Sequence, residues 1–475
     1  MSSSPQTILR IDELDLKNFR CFASCGFKLH PRTNILVADN AQGKTALLDA
    51  IALALDVYVS AIAYGCKSHG LKHDDIHRAF NTEGKLVTHT PSQFNAKGFF
   101  MEKPYGWGLS LNSTGERARN TRNKSKQLHN GVLSLLGTTP DPAAKSNPLP
   151  NSTLPLAAFY GTGRLWSEHK LTKGKQSYAS ISPGRVSAFS DCLSSSSSFK
   201  TFTAWYRTAV QIINNPAFKA QSLSERTPLL LAAVREAVKT VLEPTGWTTI
   251  DWEFPEVAPD GTRTGQGYMV VEHAERGRFP LDYLSDGVRN MIALTADLAH
   301  RCVRLNPHLG ENAARHTPGV LLIDEVDMHL HPKWQQLIVG LIAEAFPSMQ
   351  LIFTTHSPHV LSTVFADSIR VIHVSKGEGI VITPKYQTRG VESADILAKI
   401  MGVDPVPQVP ESVALHAYRS LVQSDRFRTE DADQQWNSLL AHFGNEHPVL
   451  TEIEVLKRLQ DFKRDHNING GNARA

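Results

Sequence analysis

Residues 34–55 read NILVADNAQGKTALLDAIALAL, an apolar run, a polar turn and a second, longer apolar run. Asn34 to Val37 reads as a buried strand. A helix from about Lys44 to Ser60 follows, with apolar residues on most faces, as a helix laid against a sheet requires. Between them lies Ala38-Asp39-Asn40-Ala41-Gln42-Gly43-Lys44-Thr45. A phosphate-cradling loop needs inward backbone N–H groups, a lysine that reaches the β- and γ-phosphates, and a hydroxyl for magnesium. The start of the following helix adds free donors and a favourable dipole. Gly43, Lys44 and Thr45 supply the critical end of such a loop for ATP, with Asn40 as a further nucleotide contact. Ala38 stands where the loop should open on glycine, and alanine serves there only if the backbone avoids the left-handed region. Taken alone, the segment also admits a plainer reading, a chance GKT after a strand.

A second segment argues against chance. GVLLIDEVDMHLHP (319–332) is a short apolar run ending in two carboxylates, Asp324 and Glu325. A strand there delivers Asp324 to the sheet edge, where it can support Mg2+, and places Glu325 to orient or deprotonate an attacking water. The plainer reading is a buried strand followed by capping acids. Thr354-Thr355-His356-Ser357 ends the next apolar run, and His356 there can meet the γ-phosphate or the water. Leu284-Ser285-Asp286-Gly287-Val288-Arg289 opens a helix whose N-terminus offers donors to an anion. Ser and Asp are also the usual caps of any helix.

The rest of the chain frames these segments. With 475 residues, 41% hydrophobic and 20% charged, it is an ordinary globular chain of two or three domains. A net charge of +4 permits nucleic-acid contact through a local patch without arguing for it. The five scattered cysteines, Cys21, Cys25, Cys66, Cys192 and Cys302, read as reduced thiols. The opening MSSSPQTILRIDEL lacks a signal-peptide core, and no stretch reads as reaching the roughly 18 apolar residues of a membrane span. A cytoplasmic protein is the expectation. Residues 8–40 read as a hairpin feeding the first buried strand, and 85–113 as short strands in which Trp107, Leu109 and Leu111 alternate. From 114 to 150 the sequence turns polar, basic and Pro-rich, as a loop or insertion does. Helices are expected around 203–214, 228–242, 288–305 and 333–345, and the tail from Glu392 reads as helical. The expected division is 1–113 and 271–390 as two halves of one α/β head, 114–270 as an insertion, and 391–475 as a helical extension suited to docking a partner.

Together the segments resemble an ABC-type P-loop ATPase of the SMC, RecF and OLD group. The resemblance rests on Asn18-Phe19-Arg20, the loop ADNAQGKT, the signature-like LSDGVR, the LLIDEVDMHLHP segment and TTHSPH, in that order. It implies a mixed sheet flanked by helices and binding of ATP with Mg2+, in which Thr45 and Asp324 support the metal and Glu325 is the base. It further implies that His356 senses the γ-phosphate, and that Ser285 and Gly287 of one copy close over the nucleotide held by Lys44 of another. The active form would then be a homo-oligomer built on ATP-sandwich dimers. The signature departs from LSGGQ at Asp286 and Val288-Arg289.

A narrower likeness is to the PtuA family of Septu-type and retron anti-phage systems. It is carried by LPLAAFYGTGRLW (154–166), YLSDGVRNMIALTADLAHRCVRLNP (283–307), HLHPKWQ (329–335) and SADILAKIMGVDP (393–405). That family is accompanied by an HNH nuclease (PtuB), which implies such a partner here. A RecF-like DNA clamp and a nucleotide-sensing scaffold with little hydrolysis stay open as alternatives. The hundred or so residues after His356 read as mostly helical, which disfavours an intrinsic TOPRIM nuclease, and the absence of sustained heptads disfavours long SMC arms. Arg117, Arg119, Arg122, Lys124 and Lys126 invite contact with DNA phosphates or form a solvated insertion. Arg164 can reach a nucleotide or polynucleotide, while His73, His77, His329 and His331 lack metal-ligand spacing.

Overall fold

The computed structural model describes residues 9–62, 70–80, 82–101, 103–112, 120–123, 125–136, 152–163, 185–194, 199–214, 222–254 and 267–466. Two units divide between Ile396 and Leu397. The strands of the first are β1 (Leu9–Phe19), β2 (Phe22–Lys28), β3 (Thr33–Val37), β4 (Arg78–Phe80), β5 (Leu86–Thr88), β6 (Ser92–Phe100), β7 (Lys103–Leu111) and β8 (Asn120–Asn123). They continue as β9 (Leu156–Tyr160), β10 (Trp247–Glu253), β11 (Tyr268–His273), β12 (Gly277–Pro280), β13 (Gly319–Ile323), β14 (Met349–Thr354), β15 (Ile369–Ser375) and β16 (Glu378–Ile382). The longer helices are α1 (Lys44–Ile62), α2 (Ser125–Leu136), α3 (Phe199–Asn214), α4 (Ser222–Leu242) and α5 (Asp286–Leu305). After α6 (Ala313–His316) come α7 (Pro332–Gln335), α8 (Ile338–Ala345), α9 (Pro358–Leu361) and α10 (Ser393–Lys399).

An 11-stranded sheet runs in the order β8-β7-β6-β1-β2-β16-β15-β3-β14-β13-β9. Its two halves follow their sequence patterns. Strands built around short apolar runs make the parallel block β15-β3-β14-β13-β9, and every residue of β9, β13 and β14 is buried. Parallel sheets need such cover on both faces. Strands with alternating patterns make the antiparallel block β8-β7-β6-β1-β2, and β6 alternates buried with wetter residues along most of its length. β16 joins the halves, antiparallel to β15 and parallel to β2. A smaller sheet, β10-β11-β12, stands apart from it. β9 comes from inside the segment read as an insertion and forms the sheet edge beside β13. Gly319 permits that pairing, since a Cβ there would lie 1.9 Å from the Leu156 carbonyl oxygen.

Three expectations need correction. α1 has 19 residues and a mean hydropathy of 1.8, so one helix is long and apolar enough to cross a membrane. Its apolar window is 78% buried inside the fold, with Tyr58 bonding the Pro155 carbonyl (2.7 Å) and Trp107 bonding that of Ala54 (2.9 Å). It is a core helix. Residues 333–345 are two helices, broken at Gln336-Leu337, where the Leu337 N–H turns back to the Trp334 carbonyl (2.9 Å). The last five residues of β7 are all buried, although the Trp107-Leu109-Leu111 alternation predicts one wet face.

α5 crosses the core and carries charge into it. Arg301 Nε donates to Asp297 Oδ2 (2.8 Å), and Arg301 Nη1 reaches the carbonyls of Ala188 and Ser190 (both 2.9 Å). The Tyr160 hydroxyl donates to the same Asp297 oxygen (2.8 Å). One turn away, His300 is buried between the rings of Phe202 and Trp205, and neither ring nitrogen has a hydrogen-bond partner among the described residues. Burial, then Arg304 and Arg301, hold its pKa well below the ordinary 6.5.

The second unit packs α11 (Pro410–Gln423), α12 (Glu430–Phe443) and α13 (Pro448–Asp465) around Tyr418, Val422, Leu439, Leu450 and Ile453. Prolines open α11 and α13. Thr429 caps α12 by accepting the Ala432 N–H (3.3 Å), ahead of an acidic first turn that suits the helix dipole. Tyr418 stacks on Trp436 at 5.2 Å, and Lys457 Nζ lies 3.5 Å over the Trp436 ring.

Two outcomes follow from the core of α5. Arg301→Leu leaves the Asp297 carboxylate buried without its cation and should cost about 3–5 kcal/mol in denaturant unfolding. His300 is neutral when folded and takes up a proton when unfolded, so stability should fall as pH drops below 6.5, by up to about 1.4 kcal/mol per pH unit. His300→Phe should flatten that part of the profile, read by urea melts at pH 7.5 and 5.5.

Candidate functional site

Parallel pairing sets one edge of the sheet. Leu36 of β3 lies opposite Thr354 of β14, and Phe353 lies opposite Ile323 of β13. The segments after these strands therefore leave side by side: Ala38–Thr45 after β3, Asp324–Glu325 after β13, and Thr355–Ser357 after β14. Ligands of open α/β sheets bind at such carboxyl-terminal edges.

The loop after β3 uses left-handed backbone at Ala41 (φ 62°) and Gly43 (φ 84°), and Ala38 is not among the positive-φ residues. Alanine at 38 is thus free of the strain that would demand glycine. Gly43 is constrained twice, because a Cβ there would also sit 2.5 Å from the Phe22 ring and 2.6 Å from Cys21 Sγ. Lys44 is buried, and its ammonium donates to the carbonyls of Ala38 (2.6 Å) and Asp39 (3.0 Å). Burial lowers its pKa, against the pull of Asp324, Asp39 and Glu325. Asn40 lies exposed on the loop.

Thr45 Oγ1 donates to Asp324 Oδ2 (3.0 Å). Thr354 Oγ1 donates to Asp324 Oδ1 (2.6 Å) and accepts the Glu325 N–H (2.7 Å). The Asp324 N–H reaches the Tyr160 carbonyl (2.8 Å). Hydroxyl and carboxylate oxygens converging beside a lysine are the hard donors that Mg2+ takes, so Thr45 and Asp324 fit the ion the sequence implies. Glu325 is half-buried with φ 49°. His356 is half-buried at the end of β14, and the next residue, Ser357, caps α9 while donating to Gln335 Oε1 (2.7 Å). Thr355 bonds Asp327, which fastens the segment after Glu325 to the same edge.

The signature-like turn forms a second locus. Ser285 is the exposed N-cap of α5, and its side chain makes no capping bond. Gly287 packs so closely that a Cβ would lie 2.5 Å from the His329 carbonyl oxygen. Both line a groove of about 820 Å³ with Trp247, Phe279, Tyr283 and Trp334. No residue of 38–45 lines it. One copy therefore brings Lys44, Thr45 and Asp324 together and keeps Ser285 and Gly287 on a separate groove.

Sequence reasoning missed the supports. Arg20 pairs with Asp49 of α1 and with Asp75 (2.9 Å), and the adjoining Cys21 and Phe22 press on Gly43. Burial, partly offset by Arg20, raises the Asp49 pKa. Thr354 was legible only as part of a strand end. Of the histidines without ligand spacing, His77 bonds the Arg20 carbonyl (2.6 Å) and His331 caps α7. Arg122 and Lys126 are exposed, whereas Arg117, Arg119, Lys124 and Arg164 lie outside the described residues.

Known proteins place the chain. A family described as "AAA domain, putative AbiEii toxin, Type IV TA system" matches residues 173–362, and one described as "AAA domain" matches 13–225. Retron Ec83 probable ATPase of Escherichia coli is 27% identical, over 96% of this chain and 89% of that protein. Septu protein PtuA of Bacillus thuringiensis is 27% identical over 29% of this chain and 36% of its own length. A solved Smc head, bound to the C-winged helix domain of ScpA, superposes over 79% of this chain and 98% of its own, with 16% identity and a TM-score of 0.46. The chain is thus similar to probable ATPases of retron systems over nearly its whole length and to Septu PtuA over a shorter stretch, and AAA-domain families match residues 13–225 and 173–362.

Proposed function

We propose that the chain binds and hydrolyses ATP with Mg2+ as a subunit of an anti-phage complex, and that its nucleotide state gates a partner HNH nuclease. The observation that carries the ATPase part is Asp324, held between the hydroxyl of the phosphate loop and that of β14. Lys44 exchanges the Ala38 and Asp39 carbonyls for phosphate oxygens when nucleotide enters. Gly43 and the start of α1 present N–H groups, and Asn40 borders the phosphates. Bound Mg2+ would neutralise charge on the β- and γ-phosphates. Glu325 orients the attacking water, and His356 contacts the γ-phosphate side. Ser285 and Gly287 come from a second copy, which the groove they line supports, since no residue of the 38–45 loop lines it. The nuclease partner rests on the resemblance of the sequence to the PtuA family alone, and the 391–475 extension is its docking candidate.

Glu325→Gln should keep ATP binding while phosphate release falls about a hundredfold or more. Equal background release in wild type and variant would remove the hydrolysis reading. With ATP, that variant should show a doubled mass in solution. Ser285→Arg should prevent the doubling yet still bind ATP, and a pair that persists would count against closure in trans. For the partner, the measurement is DNA cleavage by an HNH protein encoded beside this chain's gene, purified with wild type or with Lys44→Ala. Cleavage indifferent to that substitution would refute gating.

A further inference from the structure

Thr354 is wholly buried, yet its hydroxyl is fully engaged within the site. It accepts the Glu325 N–H at 2.7 Å and donates to Asp324 Oδ1 at 2.6 Å. A hydroxyl has one proton. With the Glu325 N–H occupying an oxygen lone pair, that proton is directed to Asp324. The same residue's carbonyl accepts the Val326 N–H at 3.0 Å. Glu325 is thus gripped on both sides by one residue of the neighbouring strand, and Glu325 is where the backbone takes a left-handed φ of 49° without glycine.

We propose that Thr354 is a positioning residue: a single hydroxyl fixes the plane of the Asp324 carboxylate for Mg2+ and aims Glu325 at the water. The inference rests on the ATPase reading above and adds to it the element that sets the geometry of two neighbouring acids at once. With Oδ1 tied to Thr354, Oδ2 is the oxygen turned to Thr45, at 3.0 Å. An outer hydrogen bond of this kind fixes a ligand's orientation before the metal arrives. The plainer role, satisfying one buried N–H, predicts no effect on magnesium.

The test compares Thr354→Val and Thr354→Ala, which lack the hydroxyl, with Thr354→Ser, which keeps it. Two quantities are read: affinity for a fluorescent ATP analogue in EDTA, and the Mg2+ concentration that half-saturates its binding. Without the hydroxyl, half-saturation should need about 10- to 100-fold more Mg2+. Affinity in EDTA should hold, phosphate release should stay low at saturating Mg2+, and the serine variant should behave as wild type. If the valine variant does not fold, alanine against serine isolates the same oxygen. Equal Mg2+ requirement in alanine and serine variants would overturn the proposal, as would an equal loss of binding in EDTA. A wild type indifferent to Mg2+ would instead remove the ATPase reading, and the inference with it.

Discussion

The nucleotide end of this protein depends on one carboxylate held from two sides. Asp324 is buried, and a buried charge is tolerated only when it is paired or hydrogen-bonded. Thr45 reaches it from the start of α1 and Thr354 from the end of β14. Neither residue is near it in sequence, so the contact exists only if β3, β14 and β13 lie in that order with parallel register. On the far side of β13, Gly319 lets β9 pair where there is no room for a side chain. The site is therefore a consequence of the strand order, and errors in pairing would be felt first at Asp324.

Left-handed backbone gathers around the same edge. Ala41 and Gly43 adopt it before α1, and Glu325 and His329 adopt it after β13. Such residues persist where surrounding contacts over-determine them. Gly43 is held by Cys21 and Phe22, themselves carried by the turn that Arg20 ties to Asp49 and Asp75. Glu325 is held by Thr354. The N-terminal hairpin and β14 thus brace opposite sides of the nucleotide site.

Much of the parallel half of the sheet is legible because its strands are buried on both faces and carry short apolar runs, as in GVLLI and LIF. Lys44, Thr45 and Asp324 were legible because their chemistry permits few substitutes. Less was readable where tertiary packing overrides local pattern. Trp107, Leu109 and Leu111 alternate in sequence, but small Gly108 and Ser110 between them are buried as well. The break at Gln336-Leu337 carries no proline or glycine to announce it. Thr354 and Arg20 stand in motifs legible in the sequence, but their bonding roles are not, because their partners lie 30 and 29 residues or more away and no local spacing encodes those bonds. Ala38 stands where glycine's freedom is expected, but the loop puts its left-handed turns at 41 and 43 instead.

The mounting of α5 bears on how two copies would work together. Its Asp297 bonds the Tyr160 hydroxyl, and the Tyr160 carbonyl accepts the Asp324 N–H. Arg301 anchors the same turn to the carbonyls of Ala188 and Ser190. The helix that presents Ser285 and the strand that presents Asp324 are therefore fastened to one edge strand, β9, by buried bonds. Buried polar networks of this kind are rigid when fully satisfied. A sliding of α5 toward its own phosphate loop would have to break them, whereas approach of a second copy leaves them intact. That asymmetry is a structural reason to expect the signature to act on a neighbour's nucleotide, with each copy's α5, β9 and β13 moving as one body.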